Sequence, residues 1–474
     1  MLNRFLKSAV IWSWGFNTLR LATGLILLPL VLRKLSTPDY GMYFVLLFQV
    51  RFVPVIDFGF GPTIGRFVSY AYGGAQTLQA LGVEKSTDAG KPNYVLLWQL
   101  LDTTRRLYRY LTLVLLVILG IWGTFQVELS VHETSSVLIT RLAWATTLAA
   151  ALLDIYWSWW NTYLNGMNQV LIAARIGTLA MVVRLTLSVL LLLSGAGLLS
   201  LPIAGLFASL LERQLARRQC LKLLPGKPTE NPQMFGEIMR ILWPNTWRLG
   251  IQFLSFYLIT SANTSIIQMS KNKFAQGLVD IARYGLSTTL MGIAGSMAAV
   301  WTQTKWPLIG QFQARHEYAR LRQVLWPRIW LQSLTFFALA GGVVFLGPML
   351  LQWFGHGKEM LPRTWLLVLV VVTFLDMQFS LWTTLLSTGN QLPQLWYTVA
   401  TNVLSFTLSL ALVQFTSLGL GAFVLGPLLS GCLFNYWHWP FFAARSIGTT
   451  LFRFLFFGPG KPDSESAAPP VTPA

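Results

Sequence analysis

Apolar runs about twenty residues long recur along this chain from one end to the other, and they decide what it can fold into. Each is long enough to cross about 30 Å of hydrocarbon as a helix. The runs fall at about 9–32, 41–63, 108–127, 142–164, 170–193, 197–215, 241–266, 284–304, 329–351, 364–387, 393–415 and 419–442. Charged residues make up 11% of the 474, against about 25% in a soluble chain. The mean hydropathy is +0.55. These features predict an all-α integral membrane protein with twelve transmembrane helices. The opening MLNRFLKSAVIWSWGF has the basic flank of a signal peptide, but no small-residue cleavage site follows. The first run is therefore expected to stay as an anchor.

Orientation follows from where lysine and arginine fall. With the N-terminus in the cytoplasm, segments on that side carry 23 of them and the opposite side 8. Arg20, Arg51, Arg184 and Arg248 complete the 35 and lie inside runs. Both termini are thus expected in the cytoplasm. The net charge of +18 sits mostly on that face. Two readings of it stay open: topology with attraction to anionic membrane lipids, or an approach surface for an anionic substrate. Nucleic acid is not an expected partner, because no compact soluble domain presents a basic face. Cys220 and Cys432 suggest no disulfide framework. The four histidines are scattered and no His/Cys/carboxylate group has metal-ligand spacing. No metal or cofactor is expected.

The chain repeats itself. NTLRL at 17–21 returns as NTWRL at 245–249, and PTIGRF at 62–67 as PLIGQF at 307–312. Residues 153–169, LDIYWSWWNTYLNGMNQ, align without a gap to 375–391, LDMQFSLWTTLLSTGNQ. Eight of the seventeen positions are identical, where chance in an apolar-biased chain gives about one or two. The expected organisation is two homologous six-helix bundles, 1–220 and 241–445. A cytoplasmic linker at 221–240 joins them and a Pro-, Ala- and Ser-rich tail at 446–474 follows. Six spans per half is even, so both copies enter the membrane in the same sense. Their pseudo-two-fold axis then runs along the membrane normal, with a central cavity between the halves. The first half carries an insertion at about 68–107, in which Asn93 is expected to cap a helix lying on the cytoplasmic surface.

An ionised side chain at mid-bilayer costs about 2.5–3.5 kcal/mol on insertion scales, so the repeated arginine needs a reason. Arg20 and Arg248 occupy equivalent positions on the first helix of each half, and the two-fold sets them on opposite cavity walls. Guanidinium forks suit phosphate oxygens and stay charged at any working pH. The alternative is a structural ion pair, with Asp57 a candidate partner. Asp154 and Asp376 form a second symmetric pair, suggesting proton or sodium coupling, or hydrogen bonding within a seam. Arg51 and Arg184 have no symmetric counterpart and are open to substrate contact or local pairing. Trp157, Trp159, Trp160 and Trp382 read as an interfacial belt or as sugar-stacking surfaces. DFGFGPTIGRF at 57–67 is Gly-rich but lacks the Lys-Ser/Thr of a phosphate loop. Its glycines and Pro62, with Pro307 in the second half, are expected to interrupt helices and form a gate.

RKLSTPDYG at 33–41 and DFGFGPTIGRF at 57–67 resemble the polysaccharide-transport, or oligosaccharide-lipid flippase, family. Its superfamily includes multidrug-and-toxin extruders and the lipid II flippase. ARYG at 282–285 and Pro307 are similar to that family's second-half pattern. The resemblance implies a six-plus-six bundle around a cationic cavity. It implies translocation of an undecaprenyl-pyrophosphate-linked glycan from the cytoplasmic to the periplasmic leaflet by alternating access. The setting is the bacterial inner membrane, with polysaccharide synthesis proteins as possible partners. Arg20 and Arg248 match the cavity arginines of the first and seventh helices, and Arg66 the basic residue after the DFGFG turn. The 68–107 insertion departs from the pattern.

Two other classes compete. A membrane glycan polymerase or ligase needs a large non-cytoplasmic loop for its chemistry, and the longest here is 267–283. A cation-coupled drug or small-molecule antiporter of the same superfamily needs a cation-accepting cavity. Four intramembrane arginines against Asp57, Asp154 and Asp376 favour an anionic cargo by one charge. A major-facilitator transporter lacks support, since its basic Gly/Asp signature between spans two and three is missing.

Overall fold

The computed structural model describes residues 19, 26–78, 92–226, 235–260, 262–270, 273–274, 276–315, 317–355, 357–388 and 394–459. Among them there are helices and turns but no strand. Large apolar side chains such as Ile121, Leu334 and Trp353 stand about 70% exposed along these helices. Side chains like these belong in lipid rather than water, which makes the chain a multi-pass membrane protein.

Eight helices among the described residues are long and apolar enough to cross a bilayer. They become nine if Gly419–Leu433 and Asn435–Ser446, bent by 41°, form one span. Twelve spans are thus not shown among the described residues. The run 9–32 lies mostly outside the described residues. The runs 241–266 and 284–304 do fold as long helices, Phe235–Thr260 and Leu278–Gln303. Neither is among the eight, because NTWRLGIQ and STTLMGIAGS dilute their apolar character.

Packing divides the chain into two compact units, Met1–Tyr257 with Gly277–Val279, and Leu258–Gln276 with Asp280–Ala474. In the first unit, the Ser36 hydroxyl accepts from the Asp39 N–H at 3.2 Å and opens the Thr37–Val50 helix, with Pro38 in its first turn. Both residues suit a helix start: serine satisfies an orphan donor, and proline has none to lose. A short helix, Val53–Asp57, ends at Phe58 and Gly59, both left-handed, with φ of 50° and 82°. A new helix, Phe60–Tyr72, begins there. It packs against Trp159–Gly166, while Tyr94–Ile118 packs against Val137–Trp157.

The insertion differs from expectation. Asn93 does cap a helix, accepting from the Leu96 N–H at 3.0 Å. That helix does not lie apart on the surface. It runs from Tyr94 through a π-helical turn at Leu119–Gly123 to Glu128, 35 residues without interruption. At about 1.5 Å per residue this exceeds the bilayer core by some 20 Å. The turns bearing Arg105, Arg106 and Arg109 are thus the overhanging start of the span itself.

In the second unit the 37-residue helix Tyr318–Phe354 packs through Leu321, Leu325 and Ile329 onto Leu381, Trp382 and Leu385 of Arg363–Thr388. Trp439, Ala443 and Phe454 complete that core. The tryptophan belt is corrected here. Trp382 is 2% exposed, as is Trp159, and Trp160 stacks on Trp159 at 4.0 Å between ring centroids. These rings fill protein interior, where their area gains more than at an interface.

Candidate functional site

The Phe58–Gly59 break exists because of what lies behind it. A Cβ on Gly59 would sit 2.5 Å from the Leu249 Cβ and 3.1 Å from the Thr246 carbonyl oxygen. The Phe58 ring covers bare Gly250, where a Cβ would come within 2.3 Å of it, and stacks on Trp243 at 6.1 Å. A left-handed phenylalanine costs about 1–2 kcal/mol, which this packing offsets. Thr246 and Leu249 of the second pentapeptide, with Gly250 after it, therefore seat the DFGFG break.

The break opens a cavity of about 710 Å³ in the first unit. Asp57 lines it just before the Phe60–Tyr72 helix, at the end where the helix dipole favours an anion. Its carboxylate accepts from the Gly61 N–H at 3.0 Å and from the Tyr108 hydroxyl at 2.5 Å. Pro62, Arg66 and Ser69 follow along one helix face, and Ser158, Thr162 and Asn165 form the facing wall. One carboxylate, one guanidinium and several hydroxyls thus share a pocket whose remaining walls are apolar.

The second unit holds a cavity of about 300 Å³ that repeats this design. The repeat offsets are 245 (Pro62 to Pro307) and 222 (Leu153 to Leu375). Under them six lining positions correspond: Pro54 with Ala299, Asp57 with Thr302, Gly61 with Trp306, Ile155 with Met377, Ser158 with Ser380, and Thr162 with Thr384. The carboxylate has moved between copies. Where the first cavity has Asp57, the second has Thr302, which donates to the Gln332 side-chain oxygen at 2.7 Å. Asp376 supplies the acid from the opposite wall and accepts from the Tyr436 hydroxyl at 2.8 Å.

Asp154, the repeat counterpart of Asp376, lines neither cavity. It accepts from the Ser209 hydroxyl and pairs with Arg213 at 3.3 Å. Arg213 also pairs with Glu212 at 3.3 Å, and its side chain is 14% exposed. Ser209 and Arg213 correspond to Gly431 and Asn435, so the cation was not duplicated with the acid.

Pro62 and Pro307 sit in the first turns of Phe60–Tyr72 and Trp306–Ala314. The interruptions precede them, and each proline fits where no N–H is needed. Arg51 lies over the Phe48 ring at 4.8 Å, and Arg184 lies on the Val170–Leu193 helix. Arg248 is exposed, 5.7 Å from the Trp247 ring and off the face that seats Phe58. Arg20 lies outside the described residues. Sequence reasoning missed Tyr108, Tyr436 and the hydroxyl walls. Ser158 and Thr162 were available, since both are identical in the seventeen-residue repeat. Tyr108 and Tyr436 carry no such signal, being single polar groups near the ends of apolar runs.

No protein-family model and no curated protein sequence matches this chain. Solved structures do. An inward-facing conformation of a multidrug resistance MATE family transporter of the MOP superfamily superposes with a TM-score of 0.58 and 16% identity, over 91% of this chain and 97% of that one. An outward-facing conformation of such a transporter gives 0.53 and 14%, over 94% and 97%. A MOP superfamily transporter from Pyrococcus furiosus, described as having a binding pocket of reversed polarity that suggests a different function, gives 0.56 and 13%, over 94% and 97%. At these identities the likeness is one of architecture, and it extends over nearly the whole length of both partners. The chain has the fold of the MATE transporters of the MOP superfamily.

Proposed function

We propose that this protein is a flippase of the bacterial cytoplasmic membrane, moving a polyprenyl-pyrophosphate-linked oligosaccharide between leaflets by alternating access. The cargo is the repeat unit of an O-antigen, capsule or exopolysaccharide, and both termini lie in the cytoplasm. The observation that carries the reading is Arg51 and Arg184, two arginines of one unit that lie within the membrane-spanning segments Thr37–Asp57 and Val170–Leu193. Among the described residues Arg184 pairs with no carboxylate. A charge kept in hydrocarbon in that state calls for an anionic guest. Arg66 brings a further cation to the larger hydroxyl-lined cavity. Inward- and outward-facing forms of the same fold support alternating access. That a related structure is described as having a pocket of reversed polarity supports the view that this fold does not fix the sign of its cargo. Twelve spans in two bundles, with the cargo bound between them, remain part of the proposal. So does work alongside polysaccharide synthesis proteins.

A second reading, a cation-coupled drug antiporter, is favoured by Asp57 and Asp376, each the lone carboxylate of its cavity. In the flippase reading the same two acids bind the coupling H+ or Na+. The test is deletion of the gene in its host, with complementation by wild type and by Arg51→Ala/Arg184→Ala. Lipid-linked repeat units are expected to accumulate on the cytoplasmic face. Wild type relieves the accumulation and the folded double variant does not. Unchanged lipid-linked glycan with heightened sensitivity to cationic toxicants gives the assignment to the antiporter.

A further inference from the structure

The second unit contains a cavity of about 830 Å³ that the transport reading leaves unused. It lies where Tyr318–Phe354 ends and Arg363–Thr388 begins, with Leu418 and Leu420 along one side. Lys305, Arg315, Arg320, Arg322 and Arg328 fall before or near the other end of the Tyr318–Phe354 helix, against Lys358 and Arg363 in the segment at this end. By the positive-inside rule the cavity then opens on the non-cytoplasmic face.

Its lining is divided by chemistry. Val344, Phe345, Pro348, Leu351 and Trp365 make its apolar lining, and Arg283, Lys358, Arg363 and Glu359 its charged lining. Arg283 pairs with Glu359 at 2.6 Å and with Asp280 at 3.6 Å, yet its Nε is buried without a hydrogen-bond partner. Lys358 is 4% exposed, and Arg363 lies 4.7 Å above the Phe345 ring. With Asp280 counted as Arg283's partner, three cations stand against two carboxylates, a net positive charge for the lining. A surplus of positive charge beside an apolar wall favours a bound anion, whose charge offsets part of the desolvation. On the same helix end Phe345, Leu346, Met349, Leu350 and Trp353 are all at least half exposed, as lipid-facing residues are. The apolar wall is therefore continuous with the hydrocarbon around the protein.

We propose that this cavity binds an anionic glycerophospholipid of the outer leaflet. Its phosphate is held by Arg363 and Lys358, and the first acyl carbons lie along Phe345, Pro348 and Leu351. Phosphate suits the guanidinium fork, and the chain stays in contact with bulk lipid. This assignment is independent of what the protein transports.

The test is native mass spectrometry of the purified full chain, titrated with phosphatidylglycerol or with phosphatidylcholine of the same acyl chains. Wild type is expected to retain phosphatidylglycerol preferentially. Removing one charge-assisted contact in Arg363→Gln should weaken that retention by about tenfold. Lys358→Gln should do the same, and Arg33→Gln, a cation elsewhere, should not. Arg363 is exposed, so its variant keeps the test open if Lys358→Gln fails to fold. Equal retention of the two lipids, or retention unchanged in Arg363→Gln, overturns the proposal. If undecaprenyl phosphate is retained in an Arg363-dependent way and phosphatidylglycerol is not, the pocket serves the carrier lipid and the phospholipid assignment falls.

Discussion

An arginine inside a membrane helix draws attention to itself, but in NTWRL the neighbouring residues have the observable work. Thr246 is fully buried, Leu249 meets Gly59, and Gly250 lies flat beneath the Phe58 ring. Arg248 projects from another face of the same turn. Gly250→Ala puts a methyl group 2.3 Å from that ring, so the ring or the left-handed backbone that carries it must shift. The variant should unfold at a lower temperature in detergent, by about 1–3 kcal/mol of overpacking. Arg248→Ala should unfold like wild type. Equal midpoints for Gly250→Ala and wild type would remove the packing explanation for the DFGFG break. The sequence made the repeated pentapeptide and the glycine-rich break visible as separate features. Their contact was not visible, because a covariation of ring and missing Cβ at separation 192 leaves no periodic trace in one chain.

Elements were legible in proportion to how uniformly apolar they are. The runs 170–193 and 364–387 became helices with nearly those bounds, Val170–Leu193 and Arg363–Thr388. Sequence reasoning divided the segment after Asn93 into a surface helix and a span, because three arginines interrupt its hydropathy. The structure keeps one helix, since Leu97, Leu100, Leu101, Thr104 and Tyr108 stay buried on one face while the arginines lie off it. Periodicity at 3.6 residues carried that information, and mean hydropathy averaged it away. The start of this helix rests on Asn93. Its side chain accepts from Leu96 and donates to the Ala75 carbonyl at 3.2 Å, tying the helix to the preceding turn. Asn93→Ala should cost about 1 kcal/mol as a lost cap, and Asn93→Ser should recover most of it. Thermal unfolding of the two purified variants decides this. Identical losses would mean that the tie to Ala75, rather than the cap, holds the helix start.

At the scale of the molecule, two cavities have walls that correspond position by position under the repeat offsets, with the acid placed differently in each. Sequence symmetry pointed to Asp154 and Asp376 as a pair, and the geometry separates them. Asp154 spends its charge on Arg213 and Ser209, whereas Asp376 meets a phenol in a hydroxyl-lined cavity. Asp57, which has no acidic counterpart, supplies the carboxylate of the first unit's cavity from the other wall and likewise meets a phenol, Tyr108. A carboxylate already neutralised by a cation gains little from a coupling ion, while one surrounded by neutral hydroxyl oxygens can take up a proton or sodium. The three acids therefore make different predictions for reconstituted protein driven by an imposed proton or sodium gradient. Asp376→Asn and Asp57→Asn should each abolish the gradient's effect on cargo movement while leaving cargo binding in place. Asp154→Asn should lower stability and keep the gradient response, because what it loses is the Arg213 pair. If Asp154→Asn alone uncouples transport, repeat symmetry was the better guide than the observed pairing. If none of the three uncouples it, the cycle is not driven through these acids. Its energy then comes from the membrane potential acting on the arginines, or from the cargo's own gradient.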